Sequence, residues 1–205
     1  MQIKDKITNI LLSTQRKGIE DLLRWMDENG FFVAPCSSKY HLAQAGGLAK
    51  HTFNVWLAAY SMIEAFYIKQ NRPFTQEFLD SVVICTMLHD LGKTGQFGKP
   101  AYKQFIHHGI KLTPENINDP DLSFMDVSIE YETNKDLLYI PHEVRSIAIA
   151  SQFIELTEEE QHAILYHNGL YSELQSIKNH ETELYMLLHF ADMWASRVIE
   201  TEEHK

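Results

Sequence analysis

Apolar residues recur along most of this chain at intervals of three and four, which is the spacing of an amphipathic helix. Asn29-Gly30 marks a helix end, Thr75 is a candidate N-cap, and Thr157 with Glu160 has the form of a capping box. The pattern predicts helices over residues 3–13, 16–28, 48–70, 75–90, 142–154, 157–167 and 181–200. We therefore expect an all-α bundle of about seven to nine helices, in a single domain that spans residues 1–205.

The segment 92–141 interrupts this pattern. It carries prolines at positions 100, 114, 120 and 141, and its apolar residues show little periodicity. We expect a long, irregular, lid-like insertion there, with one helix near residues 100–111. Alternation in residues 127–132 predicts one short strand, for which the sequence offers no partner. Residues 1–30 form a separate pair of N-terminal helices in this interpretation.

The charge of the chain narrows the range of partners. The formal net charge is −10 at pH 7, and an acidic surface repels the phosphate backbone of long nucleic acid. Residues 91–114 differ from the rest, because they contain four lysines and no acidic residue. This local basic region suits a small anionic ligand better than a long one, and long nucleic acid would need a partner protein. The sequence is compatible with a homo-oligomer.

Composition indicates a protein with a full core and no membrane segment. Hydrophobic residues make up 44% of the chain, and the longest nearly apolar stretch, 82–88, is too short to cross a bilayer. The first residues mix charged with apolar positions and lack the apolar region of a signal peptide. Cys36 and Cys85 lie far apart and are expected to be free, buried thiols. We expect a cytoplasmic protein.

Histidines and aspartates at helix ends or inside apolar runs are the candidates for chemistry. Burying a charged carboxylate in an apolar helix costs free energy unless the carboxylate forms an ion pair or binds a metal ion. The residues in such positions are His51, His89, Asp90, His142, His167 and Asp192. The ordinary alternatives are helix-terminal histidines and, for Asp192, a core ion pair with Arg145 or Arg197.

This set of side chains favours particular metals. Imidazole and carboxylate without thiolate suit Mn, Fe, Co, Ni or Zn, with Mg as a further option, rather than Ca. No pair has the short spacing of a zinc finger or of an HExxH protease. The adjacent His89-Asp90 pair is the clearest signal, since a carboxylate has two oxygens and can bridge two ions while the imidazole holds one of them.

Several motifs fall in an order that resembles a known superfamily. LHDLGK at 88–93 follows GGLAKHTFNV at 46–55 and precedes HFADMWAS at 189–196. Together they resemble the HD-domain metal-dependent phosphohydrolases. The string FFVAPCSSKYHLAQAGGLAKHT, at 31–52, is most similar to the branch with HD-type 3′–5′ exoribonucleases and related phage or mobile-element proteins. The likeness covers about residues 25–200.

The resemblance implies a ligand set. By it, His51, His89, Asp90 and Asp192 would bind a first metal ion. His142 and His167 would complete a second site, as in two-metal members of the superfamily. Some members of the superfamily have two consecutive histidines at the later position, whereas here Asn168 follows His167. The sequence therefore does not decide whether the site holds one ion or two.

The resemblance also implies a function, namely hydrolysis of phosphoester or phosphoanhydride bonds of nucleotides or short oligonucleotides by a metal-activated water. Asp90 and Lys93 are the predicted catalytic residues, with Asp90 as the bridging ligand and Lys93 reaching a phosphate oxygen. The predicted substrate-binding residues are Lys93, Lys99, Tyr102, Lys103 and Arg145. Two alternatives remain: a cyclic nucleotide or cyclic dinucleotide phosphodiesterase, and a catalytically idle HD module that binds a nucleotide or a protein.

Overall fold

The structure is a computed structural model that describes residues 1–108, 127–169 and 179–201. Within these ranges the chain is mostly helical, as predicted. Seven α-helices are present in the described ranges: α1 Ile3–Ser13, α2 Ile19–Glu28, α3 Gly47–Ile63, α4 Gln76–Leu88, α5 His142–Ala150, α6 Glu158–Tyr166 and α7 Glu183–Trp194. Single π-helical turns, Glu64–Ile68 and Ala195–Ile199, extend α3 and α7.

Local capping explains several helix starts. The Thr75 hydroxyl accepts a hydrogen bond from the Phe78 N–H at 3.1 Å, so the predicted N-cap of α4 is confirmed. At α6 the Thr157 hydroxyl accepts from the Glu160 N–H, and the Glu160 carboxylate accepts from the Thr157 N–H, which confirms the predicted capping box. These bonds satisfy N–H groups that the first turn of a helix leaves without partners.

The insertion contains strands, and here two sequence predictions are wrong. A 3-10 turn, Leu91–Thr94, leads into two short strands, β1 Gly95–Gln96 and β2 Lys99–Pro100, which pair antiparallel. The next strand, β3 Tyr102–His108, pairs antiparallel with β4 Val127–Thr133. No helix therefore occupies residues 102–108 of the predicted 100–111, and the strand near 127–132 does have a partner.

The physical reason is a pairing that lies outside any local window. β3 contains Tyr102, Phe105 and Ile106, which favour strands, and Lys103 lies directly opposite Glu132 across the ladder. The remaining part of the predicted lid, residues 109–126 with Lys111, Pro114 and Pro120, lies outside the described residues.

The core forms where α3 packs against α1, α4 and α7, with α6 on α7 and α5 on both α6 and the 3-10 turn. Its largest fully buried side chains include Phe31, Leu48, Met87, Leu91 and Ile149. Among the described residues, no helix is long and apolar enough to span a bilayer. This packing brings the middle of α3 and α7 to the ends of α4 and α6.

Candidate metal centre

The six predicted ligands come together in one place, although five different helices provide them. His51 comes from α3, His89 and Asp90 follow α4, His142 opens α5, His167 follows α6, and Asp192 lies in α7. His51, His89, Asp90 and His167 are at most 1% exposed, while His142 and Asp192 are partly exposed. Helix ends and helix interiors are rigid supports for such groups.

Asp90 lies at the centre of the cluster, and its two oxygens face different histidines. Oδ2 is 3.4 Å from His51 Nε2 and 3.5 Å from His89 Nε2. Oδ1 is 3.1 Å from His142 Nε2 and 3.6 Å from His167 Nε2. This is the arrangement expected of a carboxylate that bridges two cations.

Asp192 closes the first of these two groups. Its Oδ1 lies 3.1 Å from His51 Nε2, and that nitrogen is in turn 3.3 Å from His89 Nε2. Asp192 is thus placed against His51, whereas Arg145, one of the two ion-pair partners considered as alternatives, hydrogen-bonds to Gln96 Oε1 and to the Leu138 carbonyl.

Asn168, which directly follows His167, lies within the second group. Its amide Nδ2 is 3.1 Å from His142 Nε2 and 3.2 Å from His167 Nε2, and it donates to Glu143 Oε1 at 2.7 Å. The amide nitrogen therefore lies between the two imidazoles.

Hydrogen bonds at Nδ1 orient three of the imidazoles. His89 Nδ1 lies 2.9 Å from the Thr86 carbonyl, and His167 Nδ1 lies 2.8 Å from the Ile164 carbonyl. His51 Nδ1 lies 3.0 Å from Glu200 Oε1. A carbonyl can only accept a hydrogen bond, so the neutral rings of His89 and His167 carry their proton on Nδ1, and the Nε2 atom of each points into the cluster.

Burial and neighbouring charges set the ionisation of the histidines. Burial lowers the pKa of His89 to about 3, so this imidazole is neutral and able to bind a metal. Burial acts in the same direction on His51, but Cys36 and the carboxylates of Asp192 and Glu200 raise the pKa of His51 well above its ordinary value. The pocket around His51 therefore attracts positive charge.

The two central carboxylates are held ionised. Burial would raise the pKa of Asp90, but Lys93 and His89, with the other imidazoles, lower it well below the ordinary value. The pKa of Asp192 is also lowered, because the hydrogen bond and charge of His51 outweigh its burial. Ionised carboxylate and neutral imidazole are the forms that bind transition metals.

The donor set fits divalent cations. Ligand atoms of His51, His89 and Asp90 lie within 4.8 Å of one another, and so do those of Asp90, His142 and His167. Asp90 Oδ1 is buried and has no hydrogen-bond partner in the described part of the chain. An orphaned carboxylate oxygen in a dry site is costly, and a cation would satisfy it.

Two cavities open beside the cluster. One, of about 770 Å³, is lined by His167 and Asp192, and the other, of about 440 Å³, by Arg145 and Tyr139. Four residues line both cavities, namely Lys93, Tyr102, His142 and Asn168. The candidate metal centre is therefore reachable from two sides.

The predicted substrate-binding residues divide into two sets. Lys93, Tyr102 and Arg145 line these cavities, and Lys93 Nζ lies 2.7 Å from Asp90 Oδ2. Lys99 and Lys103 line neither cavity. Both are bound to Asp136, Lys99 through the Asp136 carbonyl at 2.9 Å and Lys103 through the carboxylate at 2.5 Å.

Sequence analysis named neither Glu200 nor His41 as a candidate site residue. Glu200 is 1% exposed and binds both His51 Nδ1 and Asn54 Nδ2, the latter at 3.1 Å. His41 lies 3.7 Å from Glu200 Oε2. No pattern marks Glu200, which stands 149 positions after His51 among charged residues at the end of the last helix.

No protein-family model, no curated protein and no solved structure matches the chain. Its fold and site define a mostly helical protein with a buried cluster of histidines and aspartates that could hold a metal ion.

Proposed function

We propose that this protein is a metal-dependent phosphohydrolase that cleaves phosphoester or phosphoanhydride bonds of nucleotides or short oligonucleotides. The observation that carries the proposal is the position of the Asp90 carboxylate. Its two oxygens face two separate histidine groups, and Lys93 contacts the oxygen Oδ2. A bridging carboxylate with a neighbouring cation is suited to phosphoryl transfer, where charge develops on the phosphate oxygens.

His51, His89, Asp90 and Asp192 would hold one ion, and Asp90, His142 and His167 a second. Such ions supply Lewis-acid polarisation of a phosphoryl oxygen and a water of lowered pKa. The protein's own part is to fix the imidazoles through their Nδ1 bonds, to keep both aspartates ionised and to present Lys93 beside the cluster. Lys93 would hold a phosphate oxygen as a point charge.

The larger cavity supports a small phosphorylated substrate. It places the basic side chains of Lys39, Lys93 and Arg197 near Asp192, and its lining includes the rings of Tyr40 and Tyr102. Basic groups suit phosphates, and aromatic rings provide surfaces on which a base can stack. A cavity of about 770 Å³ lies within the size range of small-molecule sites.

Metal analysis combined with a product screen tests this function. Purified protein would be assayed for bound metal and, with Mn²⁺ or Fe²⁺ added, for hydrolysis of nucleoside mono- and triphosphates, cyclic dinucleotides and short RNA. We expect one or two ions per chain and turnover that Asp90→Ala abolishes. Asp27→Ala removes a carboxylate from a surface ion pair and is the matched control.

Other outcomes would decide between the remaining functions. Turnover confined to cyclic substrates would identify a cyclic nucleotide phosphodiesterase. Absence of both metal and turnover with every ion would refute the hydrolase and leave a module that binds its ligand without chemistry.

A further inference from the structure

A second group of ligand-type side chains lies beside the cluster, on the opposite edge of the His51 ring. Cys36 Sγ is 3.4 Å from His41 Nε2, and that same nitrogen is 3.7 Å from Glu200 Oε2. Ligand atoms of Cys36, His41 and His51 all lie within 4.8 Å of one another. We propose that Cys36, His41 and Glu200 form a separate zinc-type site that the phosphohydrolase function does not require.

The loop before α3 builds this arrangement. The Cys36 N–H donates to the Leu42 carbonyl at 3.1 Å, and the Ser37 hydroxyl donates to the His41 carbonyl at 3.0 Å. A Cβ at Gly47 would lie 2.0 Å from the Leu42 oxygen, so glycine at this position lets the closed loop pack onto the start of α3. Cys36 and His41 are held together by this backbone, five positions apart.

Two of the ligand–ligand separations match those around a four-coordinate ion. With bonds of roughly 2.0–2.3 Å to nitrogen, oxygen and sulfur, neighbouring ligand atoms of a tetrahedral site lie roughly 3.3–3.8 Å apart. The separations of 3.4 Å for Cys36–His41 and 3.7 Å for His41–Glu200 fall within that interval. Thiolate, imidazole and carboxylate are all zinc ligands.

Cys36 Sγ and Glu200 Oε2 both face His41 Nε2, although a single hydrogen bond at this nitrogen satisfies only one of the two groups. A cation bound by all three groups satisfies them together. A nucleophilic cysteine triad is excluded by the same geometry, because its carboxylate would contact Nδ1 rather than the nitrogen that faces the thiol.

The two sites are adjacent but use different atoms. Both Glu200 oxygens lie near His51 Nδ1, at 3.0 and 3.2 Å, and Oε2 also faces His41, whereas His51 Nε2 faces Asp90 and Asp192. Cys36, His41 and Glu200 all line the cavity of about 770 Å³, so an ion and a water or ligand at the fourth position can reach this site from solvent. An ion there would also fix Glu200, and through it the His51 ring.

Cobalt is a suitable probe, because a thiolate bound to Co²⁺ gives a near-ultraviolet charge-transfer absorption that histidine and carboxylate ligands do not give. The full chain, freed of metal with a chelator, would be titrated with Co²⁺ under reducing conditions. We expect this absorption in the wild type and in Cys85→Ser, the control that removes the other buried cysteine, and its loss in Cys36→Ser. Zn²⁺ bound per chain should fall by one in Cys36→Ser relative to Cys85→Ser.

His41→Gln provides a second variant that keeps the thiol, and we expect it to weaken Co²⁺ binding at the thiolate at least tenfold. Circular dichroism would establish that each variant is folded. Absence of the charge-transfer absorption in the wild type would overturn the proposal, as would its persistence in Cys36→Ser. None of these readouts depends on hydrolysis, so failure of the proposed function would leave this test intact.

Discussion

Glu160 is a buried acid outside the metal centre, and its replacement by glutamine is a direct test of how the helix that carries His167 is anchored. The side chain is fully buried and binds Arg16 through both oxygens, at 2.7 and 3.1 Å. It also accepts from the Ser81 hydroxyl at 2.8 Å and from the Thr157 N–H at 2.9 Å. Glutamine keeps the shape but places an NH₂ group against two of these donors.

The size of the effect follows from these contacts. Removing one partner of a buried ion pair costs about 3–5 kcal/mol. The Arg16 side chain is 22% exposed and also donates a hydrogen bond to the Glu155 carbonyl. Part of its charge therefore stays solvated, and we expect Glu160→Gln to lower the free energy of unfolding by about 2–3 kcal/mol. For a chain of this length each kcal/mol changes Tm by about 2–4 °C, which gives a fall of about 4–12 °C.

Dependence on pH separates an ionic effect from a packing effect. Burial acts to raise the pKa of Glu160, but Arg16, the Thr157 N–H and Ser81 lower it below the ordinary value. A depressed pKa in the folded state gives stability that is complete above the unfolded pKa of about 4.3 and is lost as pH falls through the folded pKa. The difference between wild type and Glu160→Gln should therefore be full at neutral pH and shrink below about pH 4.

Urea unfolding followed by circular dichroism measures this difference across the pH range. Glu159→Gln, on the exposed side of the same helix turn, is the matched control and should change stability by less than about 0.5 kcal/mol. A difference that stayed constant from neutral to acidic pH, or that equalled the control, would refute the ionic reasoning.

Three further predictions concern the candidate metal centre. Asp90→Asn should weaken Mn²⁺ binding by more than about 100-fold in calorimetry and remove the rise in Tm that excess Mn²⁺ gives the wild type. Lys93→Met should lower kcat for a phosphate ester by about 10²–10³-fold with bound metal unchanged, as steady-state assays can show. Gly92→Ala should lower Tm by about 3–10 °C in thermal scans, because its Cβ would lie 2.2 Å from the His142 carbonyl oxygen.

Local signals in the sequence account for the helices and for where the cluster residues stand. Thr75 and the Thr157–Glu160 capping box lie where the helices begin, since capping depends on residues three positions apart. The six candidate ligands were recognisable for a related reason: polar residues at helix ends or inside apolar helical runs need a partner.

Contacts between residues far apart in the chain could not be predicted from the sequence. β3 and β4 are separated in sequence by residues 109–126, and no pattern in either strand indicates that the two strands pair with each other. Glu200 contacts His51 from 149 positions away, and its identity as a partner depends on how α7 packs against α3. Lys99 and Lys103 were predicted as substrate ligands from their place in a basic segment with aromatic residues, whereas their contacts with Asp136 depend on where the chain turns after β4.

The distribution of charge within the cluster favours a bound cation over a purely structural role. Asp90 and Asp192 are ionised, and Asp90 is buried. Lys93 is the close cation at Asp90 Oδ2, and Asp90 Oδ1 has no hydrogen-bond partner in the described residues. Leaving such a group unsatisfied costs about 1–3 kcal/mol or more for a charged atom. Because five helices supply the ligands, an ion that removes this cost would be released whenever any one of them detaches. Metal binding and global folding are therefore expected to be coupled in this protein.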